Sequence, residues 1–558
     1  MGAWQVGQEH IVDITGLTHE AAGVGRVEGR VVFVPETIPG DRVKIRLVHL
    51  KERLGYGELV EILQASADRR PQSCPHATEC GGCQLQHMDY DAQLRWKRQQ
   101  VVDAMERIGK LDVEVLPTLG MQRPYHYRNK AQLPLGKRQG ELVIGFFQKG
   151  SHDIVDLQTC EIQHPLITKL ALAVKRQVQD LNIEPYDEKN HTGVLRHAVI
   201  RVSFFEEKLM LILVTRTSDL PAKDELIERL TKDIPELVSV AHNVNPSVTN
   251  VILGRETKVI WGEPYLIDTI GHLNYAVSPG SFFQVNPIQT KVLYDLVRER
   301  MQLKGTETVV DLYCGAGTIG LYLASEVKEV IGVETFAAAV EDARYNARLN
   351  DVSGATFHVG RAEDVLPQLI RKHKKIDGAI LDPPRKGCEL SLLETLVTSK
   401  IPRICYVSCN PSTLARDLSY FGENGYAIGS VQPVDMFPWT RHVETVVSLS
   451  HKNADSHINV NVEFGDEEGQ IPIDEIARKA EEYRPSERVT YKIIQEYIEN
   501  KYNFKVHTAY IAEVKRDLGL PMYDAPNTVE ELKQERKHPT PEKVEAIKDA
   551  LRHFGVIQ

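Results

Sequence analysis

The fold of this chain is decided by the stretch Val309-Val-Asp-Leu-Tyr-Cys-Gly-Ala-Gly-Thr-Ile-Gly320. An apolar run ends at Asp311, and the glycines that follow predict a turn from a strand into a helix. Glycine lets a backbone approach a ligand closely at the crevice beyond the carboxyl ends of parallel strands. Glu334 ends the next apolar run, where an acid suits ribose hydroxyls. The stretch therefore predicts a nucleotide-type pocket and leaves NAD and S-adenosylmethionine both open.

The surrounding residues, 276–450, alternate helical and strand patterns as a doubly wound parallel sheet does. Leu381-Asp-Pro-Pro-Arg385 marks a further strand end, and an acid followed by two prolines has no role in a dehydrogenase. Asp364, in Gly360-Arg-Ala-Glu-Asp364, is placed to meet an adenine amino group. These residues favour S-adenosylmethionine over NAD.

A cysteine and a carboxylate stand at two later strand ends. Cys409 lies in Tyr406-Val-Ser-Cys-Asn-Pro411, behind an apolar run, and Glu444 follows Arg441-His-Val443. A single cysteine at such a position is more often a packing residue. The two motifs together favour a nucleophile and a general base, and the neighbouring Arg441 and His442 offer a way to lower the thiol pKa.

Taken together, these motifs resemble the RNA (uracil-5-)-methyltransferase family, and the resemblance runs over most of residues 1–450. Pro279-Gly-Ser-Phe-Phe-Gln-Val-Asn286 resembles the family's segment before the first sheet strand, where an aromatic residue, here Phe283, lies near the target base. The resemblance implies S-adenosylmethionine as methyl donor. It assigns the cofactor to Gln284, Tyr313, Glu334, Asp382 and Asp364.

The implied chemistry explains why both a cysteine and a base are needed. C5 of uracil is a weak carbon nucleophile, but addition of a thiolate to C6 makes C5 enolate-like and able to take the methyl group. A base must then remove the C5 proton so that the thiolate can leave. Cys409 and Glu444 fit these two roles, in a pocket that holds a flipped nucleotide.

The first 63 residues alternate in the manner of short strands and predict a small barrel of oligonucleotide-binding type. Gly23-Val-Gly-Arg-Val27 and Pro39-Gly-Asp-Arg-Val43 resemble a TRAM domain, which binds RNA. Lys44 and Arg46 would supply its basic edge. The alternative for these cations is an ordinary solvated face.

Residues 64–275 predict an α+β middle domain that carries four cysteines. They are Cys74, Cys80 and Cys83, in Cys-x5-Cys-x2-Cys, and the distant Cys160. Spacing alone permits zinc or an iron–sulfur cluster. The pattern resembles the [4Fe–4S] branch of the uracil methyltransferases, which implies that these four cysteines are its ligands. An amphipathic helix over 89–109 has the option of packing on the catalytic domain.

Tyr125-His-Tyr-Arg-Asn-Lys130 interleaves aromatic and cationic residues, as base stacking and phosphate contacts require. It resembles the family's Tyr/Phe-Arg-Asn-Lys element and makes Tyr125, Arg128 and Lys130 candidates for RNA binding. A strand with one wet face is the alternative. The formal charge of −10 argues against a protein that coats nucleic acid, so RNA binding is expected to be local.

The remaining residues lie outside the resemblance. A polar, acidic stretch over 451–470 predicts a linker, and 471–558 predict a helical extension of unknown role, with helices near 472–483, 489–501 and 507–518. A helix-turn-helix module and a plain helical appendage are both open.

The whole pattern predicts an α/β enzyme that methylates uridine in 23S rRNA. The alternatives are the same chemistry on the T-loop uridine of transfer RNA and a catalytically silent RNA-binding or assembly protein. No apolar run approaches the length of a membrane span, and no signal pattern opens the chain. We therefore expect a cytoplasmic monomer.

Overall fold

The computed structural model describes residues 4–372, 375–452, 491–502, 504–518 and 539–554. The chain divides into two compact units, residues 1–457 and 458–558. The first unit holds three sheet regions in chain order. The predicted fold class is confirmed, with a strand-rich N-terminal region, a mixed middle region, a doubly wound catalytic region and a helical extension.

The N-terminal region is a six-stranded mixed sheet with the strand order β1-β5-β6-β4-β3-β2. Every second side chain of β5 is buried, namely Val43, Ile45 and Leu47, while their neighbours are more exposed. This period of two is typical of a sheet with one buried face. A side chain at Gly25 would meet Val12 Cγ1 at 2.2 Å, so the glycine is required there. The strands are β1 (Glu9–Asp13), β2 (Gly16–Leu17), β3 (Gly23–Val27), β4 (Arg30–Val34), β5 (Arg42–Leu50) and β6 (Leu54–Gln64).

The middle region begins with helix α1 and contains a seven-stranded sheet in the order β13-β12-β11-β10-β7-β8-β9. A two-stranded ribbon, β14–β15, leads into the catalytic region. The strands are β7 (Lys130–Arg138), β8 (Glu141–Phe147), β9 (Ile154–Asp156), β10 (Leu195–Val202), β11 (Leu209–Thr215), β12 (Leu237–Val244), β13 (Glu256–Gly262), β14 (Leu266–Ile270) and β15 (Leu273–Val277), and the helices are α1 (Tyr90–Ala104), α2 (Pro165–Asp180) and α3 (Lys223–Asp233).

The catalytic region is a sheet in the order β18-β17-β16-β19-β20-β23-β21, with β22 also paired to β23. Strands β16 to β20 run parallel, and β23 returns antiparallel beside β20. Its strands are β16 (Thr308–Leu312), β17 (Glu329–Glu334), β18 (Ala355–Val359), β19 (Gly378–Leu381), β20 (Arg403–Ser408), β21 (Tyr426–Ile428), β22 (Gln432–Val434) and β23 (Glu444–His451). Its helices are α4 (Pro287–Met301), α5 (Thr318–Leu323), α6 (Ala337–Leu349), α7 (Ala362–Lys372), α8 (Leu390–Thr398) and α9 (Pro411–Glu423).

Both faces of this sheet are covered, as the near-continuous apolar strands predict. Along β20, Ile404 and Tyr406 belong to one hydrophobic core, and Cys405 and Val407 belong to the other. Helix α1 and the π-helical turn that follows it pack on α9, so the middle region contributes a helix to the catalytic region. Its Val101 and Met105 join the first core.

The second unit contains three described helices that share a core built from Ile494, Ile511 and Ile547. They are α10 (Tyr491–Tyr502), α11 (Thr508–Asp517) and α12 (Pro541–His553). Two of the three helices predicted for the tail correspond to α10 and α11. The predicted helix at 472–483 and most of the predicted linker lie outside the described residues. Within the described ranges, no helix has both the length and the apolar character needed to cross a membrane.

Candidate active site

Cys409 lies in the turn between β20 and α9, where it is half-buried. The next residue, Asn410, caps α9, since its side chain accepts a hydrogen bond from Ser412 N at 3.1 Å. The Asn410 amide also donates to Arg385 O at 3.0 Å. These bonds tie the cysteine turn to the Pro-Pro-Arg turn after β19.

Glu444 is the first residue of β23 and is buried, with 6% of its surface exposed. Ser408 and Thr445 pair across β20 and β23, and the Thr445 hydroxyl donates to Ser408 O at 3.0 Å. Cys409 and Glu444 are the next two residues beyond this pair, and the antiparallel register sets them opposite each other. Asp382 follows β19, the neighbour of β20 on its other side. The structure therefore brings three residues to one edge of the sheet: the predicted nucleophile Cys409, the predicted base Glu444 and the carboxyl group of Asp382.

Burial dominates the electrostatics of this edge. It raises the pKa of Asp382 to about 7. Burial and then the charge of Asp382 raise the pKa of Glu444 well above its ordinary value, and Arg385 opposes them. A carboxyl group with a raised pKa is a stronger base and suits proton abstraction near neutral pH.

The expectation that Arg441 and His442 lower the pKa of the Cys409 thiol is not met in this structure. Burial first, and then Glu444 and Asp382, raise that pKa to about 11, while Arg385 opposes them. His442 contributes no charge near neutral pH, because burial lowers its pKa to about 4. The thiol is thus protonated at neutral pH until a bound group adds positive charge or removes the proton.

A groove of about 780 Å³ opens at Cys409. One wall comes from α1 and the N-terminal sheet, and the other from the turns that carry Arg385, Cys409 and Arg441. Arg95 and Arg107 of the first wall form ion pairs with Asp68 and Asp103, at 2.8 and 3.4 Å. Arg441 forms an ion pair with Glu20, which lies between β2 and β3. These three acids line the groove as well, and Arg385 beside Cys409 is a further cation that suits a phosphate contact.

The crevice after β16 has the features expected of a nucleotide pocket. Gly320 N donates to Asp311 Oδ2 at 2.9 Å, while Asp311 Oδ1 is buried without a partner in the described part of the chain. Gly315 has a φ of +54° and open space where a side chain would project, so the backbone is bare at this point. Asp311 thus braces the turn.

Glu334 lies beside this turn at the end of β17. Its carboxylate accepts hydrogen bonds from Gly315 N at 3.2 Å and from Phe336 N at 3.0 Å. Phe336 itself is 74% exposed. An exposed aromatic ring beside a ribose-type acid suits stacking on a purine, and sequence reasoning missed it because Phe336 follows the motif rather than belonging to it.

Two neighbouring acids follow β18, and they differ in exposure to solvent. Asp364 is exposed in the first turn of α7, whereas Glu363 is largely shielded and pairs with Arg361. The charge of Glu363 also reaches the hydroxyl of Tyr313, whose pKa burial raises. The shielded acid of this pair is therefore Glu363, and the exposed acid is the predicted Asp364.

The segment before α4 shows the same kind of offset. Gln284 is half-buried, and its carbonyl accepts from the Asn129 amide at 3.1 Å. Phe283 is 5% exposed and packs 6.0 Å from Tyr275, while Phe282 is 67% exposed. The exposed ring of this pair is Phe282, not the predicted Phe283.

Comparison with known proteins agrees with this geometry. The family model for tRNA (uracil-5-)-methyltransferase matches residues 89–452, and the TRAM domain model matches residues 3–60. An uncharacterized RNA methyltransferase of Halalkalibacterium halodurans is 50% identical over 451 residues, which cover 80% of this chain and 98% of that protein. One from Clostridium tetani is 47% identical over 438 residues, covering 78% and 95%.

The chain belongs to the tRNA (uracil-5-)-methyltransferase family.

A solved structure of this family supports the cofactor crevice. The tRNA (uracil-54, C5)-methyltransferase of Pyrococcus abyssi, in complex with S-adenosyl-L-homocysteine, is 30% identical with a TM-score of 0.64. The similarity covers 79% of this chain and 99% of that one. This member of the family is thus an S-adenosylmethionine-dependent RNA methyltransferase with an RNA-binding TRAM region. The extension after residue 452 lies beyond the matches of both family models.

In this family member the four N-terminal cysteines line one cavity of about 370 Å³. All four are free thiols. Burial raises the pKa of Cys83 to about 12 and that of Cys160 to about 11, and the charges of the other cysteines add to both shifts. Within the described residues, no group of three or more His, Cys, Asp or Glu residues is arranged to hold a metal ion.

Buried polar atoms without a partner in the described residues also line this cavity. They are His76 Nε2, Gln86 Oε1, Arg128 Nε and Gln163 Oε1. Buried polar groups are normally satisfied, and several orphans in one place indicate a missing occupant.

The residues predicted to bind RNA fall in three different settings. Lys44 and Arg46 are partly exposed on β5, and both pair with Glu9, at 2.6 and 3.0 Å. The Tyr125 ring stacks on Trp439 at 5.2 Å, and its hydroxyl accepts from Arg70. Arg128 and Lys130 line the cysteine cavity. Their RNA roles stay predictions.

Proposed function

We propose that this enzyme methylates C5 of uridine in 23S rRNA through a covalent bond between Cys409 and C6 of the base. The observation that carries the proposal is the register of β20 and β23, which after the Ser408–Thr445 pair brings Cys409 opposite Glu444, with Asp382 on the neighbouring strand end. A nucleophile that lines the groove and a shielded base opposite it are what the chemistry requires.

The proposed reaction has three steps. The Cys409 thiol loses its proton to water, and the thiolate adds to C6 while the electron pair of the C5–C6 bond moves toward C5 and O4. C5 then attacks the sulfonium methyl group, and S-adenosylhomocysteine leaves. Glu444 finally accepts the C5 proton, and the C5–H electron pair restores the double bond as the C6–S bond breaks.

The electrostatics of the edge support these roles. Arg385 is the positive charge that lowers the pKa of both Cys409 and Glu444, so it stabilises thiolate and carboxylate together. The positive sulfonium of the methyl donor acts in the same direction on the thiol. Asp382, with its pKa raised to about 7, can share a proton with the polar edge of the uracil.

We place S-adenosylmethionine in the crevice after β16. Glu334 would accept the ribose hydroxyls, Gln284 and Tyr313 would flank the methionine part, and Asp382 would border the methyl group. Phe336 would stack on the adenine, and Glu363 or Asp364 would meet its amino group. The orphaned Asp311 Oδ1 and the bare Gly315 backbone support a ligand at this place.

We also propose that the cysteine cavity holds a [4Fe–4S] cluster. The four cysteines and other residues line a cavity of about 370 Å³, which has room for a group larger than one zinc ion held at about 2.3 Å from each sulfur. The cluster would supply cross-linking of Cys160 to the segment 74–83. Protein purified without oxygen is expected to be brown with about four irons per chain, and a colourless protein with one zinc per chain would refute the cluster.

The ribosomal substrate rests on the combined resemblance of the barrel, the cysteine set and the catalytic motifs. Transfer RNA is the second candidate, because the similar Pyrococcus abyssi enzyme is named for uracil-54 of tRNA. Nucleotide-resolution mapping of 5-methyluridine in RNA from cells with and without this gene separates the two.

Loss of 5-methyluridine from 23S rRNA would support the proposal and show whether one site or two depend on the enzyme. Loss from transfer RNA alone would keep the mechanism and change the substrate. No loss from either RNA would contradict both and favour a silent binding role. A cytoplasmic location and a monomeric state stay predictions.

A further inference from the structure

The loop between β22 and β23, residues 435–443, leads directly into Glu444. Its last three residues, Arg441, His442 and Val443, line the groove together with Cys409. We call these nine residues the Trp439 loop. Any shift of this loop moves one wall of the base pocket relative to the nucleophile.

Trp439 has an unusual backbone conformation at the centre of the loop. Its φ is +67°, a region that bulky residues rarely adopt, and its side chain is fully buried. Such a conformation persists only where the surroundings hold it in place. The contacts that hold Trp439 therefore decide the path of the loop.

Two of these contacts come from the cysteine segment. The backbone amides of Gln84 and Leu85, directly after Cys83, both donate to Trp439 O, at 3.1 and 3.0 Å. The Gln84 side chain donates to Gly81 O at 2.8 Å, between the second and third cysteines. Gln84 Oε1 is also 3.5 Å from Arg441 N.

The Trp439 ring continues this connection to the cavity. It packs in one hydrophobic cluster with Cys83 and Cys160. Its indole N–H donates to Pro124 O at 2.6 Å, and the hydroxyl of Tyr127 donates to Pro438 O at 2.9 Å. The apex of the catalytic loop is thus held by the segment that carries the cysteines and by residues 124–127, not by the catalytic sheet alone.

We propose that Gln84 and Trp439 are positioning residues through which the group held by the four cysteines aligns the catalytic wall. The bound group fixes the segment around Cys83, that segment fixes the Trp439 loop, and the loop sets Arg441 to Glu444 against Cys409. This inference rests on the proposed function. A misplacement of about 1 Å at such a wall can cost up to about 10²-fold in rate.

Two variants test the connection, Gln84→Ala and Trp439→Phe, with Trp261→Phe on β13 as the matched control. Each protein is assayed as the full, cluster-loaded chain for iron content, KM for S-adenosylmethionine and kcat. A fourth readout is the rate of covalent capture by an RNA with 5-fluorouridine at the target, whose C5 carries no proton to remove.

We expect iron content and the KM for S-adenosylmethionine to stay at the wild-type values in both variants, because neither residue belongs to the cysteine set or the crevice. The kcat and the capture rate should fall by about tenfold, since the wall beside Cys409 is displaced. Trp261→Phe should match the wild type in all four readouts.

Two outcomes would overturn the inference alone: both variants within twofold of the wild-type kcat and capture rate, or iron lost in step with kcat. The second would make Gln84 and Trp439 supports of the cavity rather than of the catalytic wall. A wild-type enzyme that neither methylates uridine nor captures the 5-fluorouridine RNA would instead refute the proposed function.

Discussion

Two groups of buried carboxylates lie in the catalytic region, and they differ in whether a cation meets them. Asp435 accepts from Lys97 Nζ at 2.6 Å and from the Tyr90 hydroxyl at 2.8 Å, and the Lys97 and Asp435 side chains have no exposed surface. Asp382 and Glu444 form no ion pair among the described residues. The two groups are joined by the Trp439 loop, which begins at Asp435 and ends just before Glu444.

This difference separates a carboxylate with a structural role, Asp435, from the two carboxyl groups at the reaction site. Lys97 and Tyr90 both lie on α1, so their hydrogen bonds to Asp435 fix this helix against the catalytic region. Unpaired, buried carboxylates bind protons readily, as the raised pKa of Glu444 and of Asp382 indicates. The carboxyl groups without a cation thus lie where the reaction needs a base, whereas the carboxylate of Asp435 is paired with Lys97.

The largest effect is expected at the nucleophile. Cys409→Ala should lower kcat on the order of 10⁴-fold or more, because the uracil C5 is then never activated. S-adenosylmethionine binding, measured by calorimetry, should persist. Cys405→Ala, four residues earlier on β20 and in the core, serves as the control and should retain covalent capture of RNA. Normal turnover by Cys409→Ala would remove the proposed mechanism.

Replacing the base should stall the reaction after methyl transfer. Glu444→Gln is expected to lower kcat by about 10²–10⁴-fold and to accumulate a covalent protein–RNA species, seen as a slow band on a denaturing gel. The double variant Cys409→Ala/Glu444→Gln should show no such band. If Glu444→Gln turns over without an adduct, the base lies elsewhere.

Changes at the Lys97–Asp435 pair should lower the stability of the protein rather than its catalytic rate. Lys97→Met leaves Asp435 buried without its cation and should cost about 3–5 kcal/mol in the free energy of unfolding. The double variant Lys97→Met/Asp435→Asn should recover part of that loss, since the uncompensated charge is gone. Chemical denaturation measures both. A single variant as stable as the wild type would show that Asp435 does not depend on Lys97.

The pH dependence of the thiol tests the electrostatics of the reacting group. With the Cys409 pKa raised to about 11, its thiolate fraction and hence its alkylation rate should rise about tenfold per pH unit between pH 7 and 10. Glu444→Gln removes a charge that raises this pKa, so its alkylation curve should move to lower pH. Mass spectrometry of the Cys409 peptide follows the rate, and an unchanged curve would contradict the coupling.

The smallest effect is expected from the helical extension. Removal of residues 458–558 should change kcat on a short RNA by less than about twofold, because α10, α11 and α12 pack on their own core. A loss of folding or of catalysis would show that the extension is part of the catalytic unit.

The catalytic sheet is readable from sequence because each strand end carries a marked residue. The apolar runs before Asp311, Glu334, Asp382 and Cys409 all end at the crevice edge, so the motifs identify the strands, although their order in the sheet, β18-β17-β16-β19-β20, differs from their order in the chain. The choice between neighbours is less readable. Phe282 and Phe283 lie outside any strand, where no fixed period decides which side chain is buried.

The pKa of the Cys409 thiol and the Lys97–Asp435 ion pair show a second limit of prediction from sequence. The sequence places Arg441 and His442 near the active site but does not reveal that burial discharges His442, or that Glu444 and Asp382 flank the thiol. Lys97 and Asp435 are 338 positions apart, and the sequence around either residue does not indicate that the two side chains form an ion pair. Burial and long-range pairing become visible only once the chain is folded.

The separation of the four cysteines has a consequence for how the protein is made. Cys74, Cys80 and Cys83 precede α1, whereas Cys160 follows β9, so a nascent chain shorter than 160 residues has only three of the four. The fourth reaches the others only after β7, β8 and β9 have formed. A group held by all four cysteines would therefore be fully ligated only after residue 160 has been synthesised, which makes its insertion a step that follows translation of the first half of the middle region.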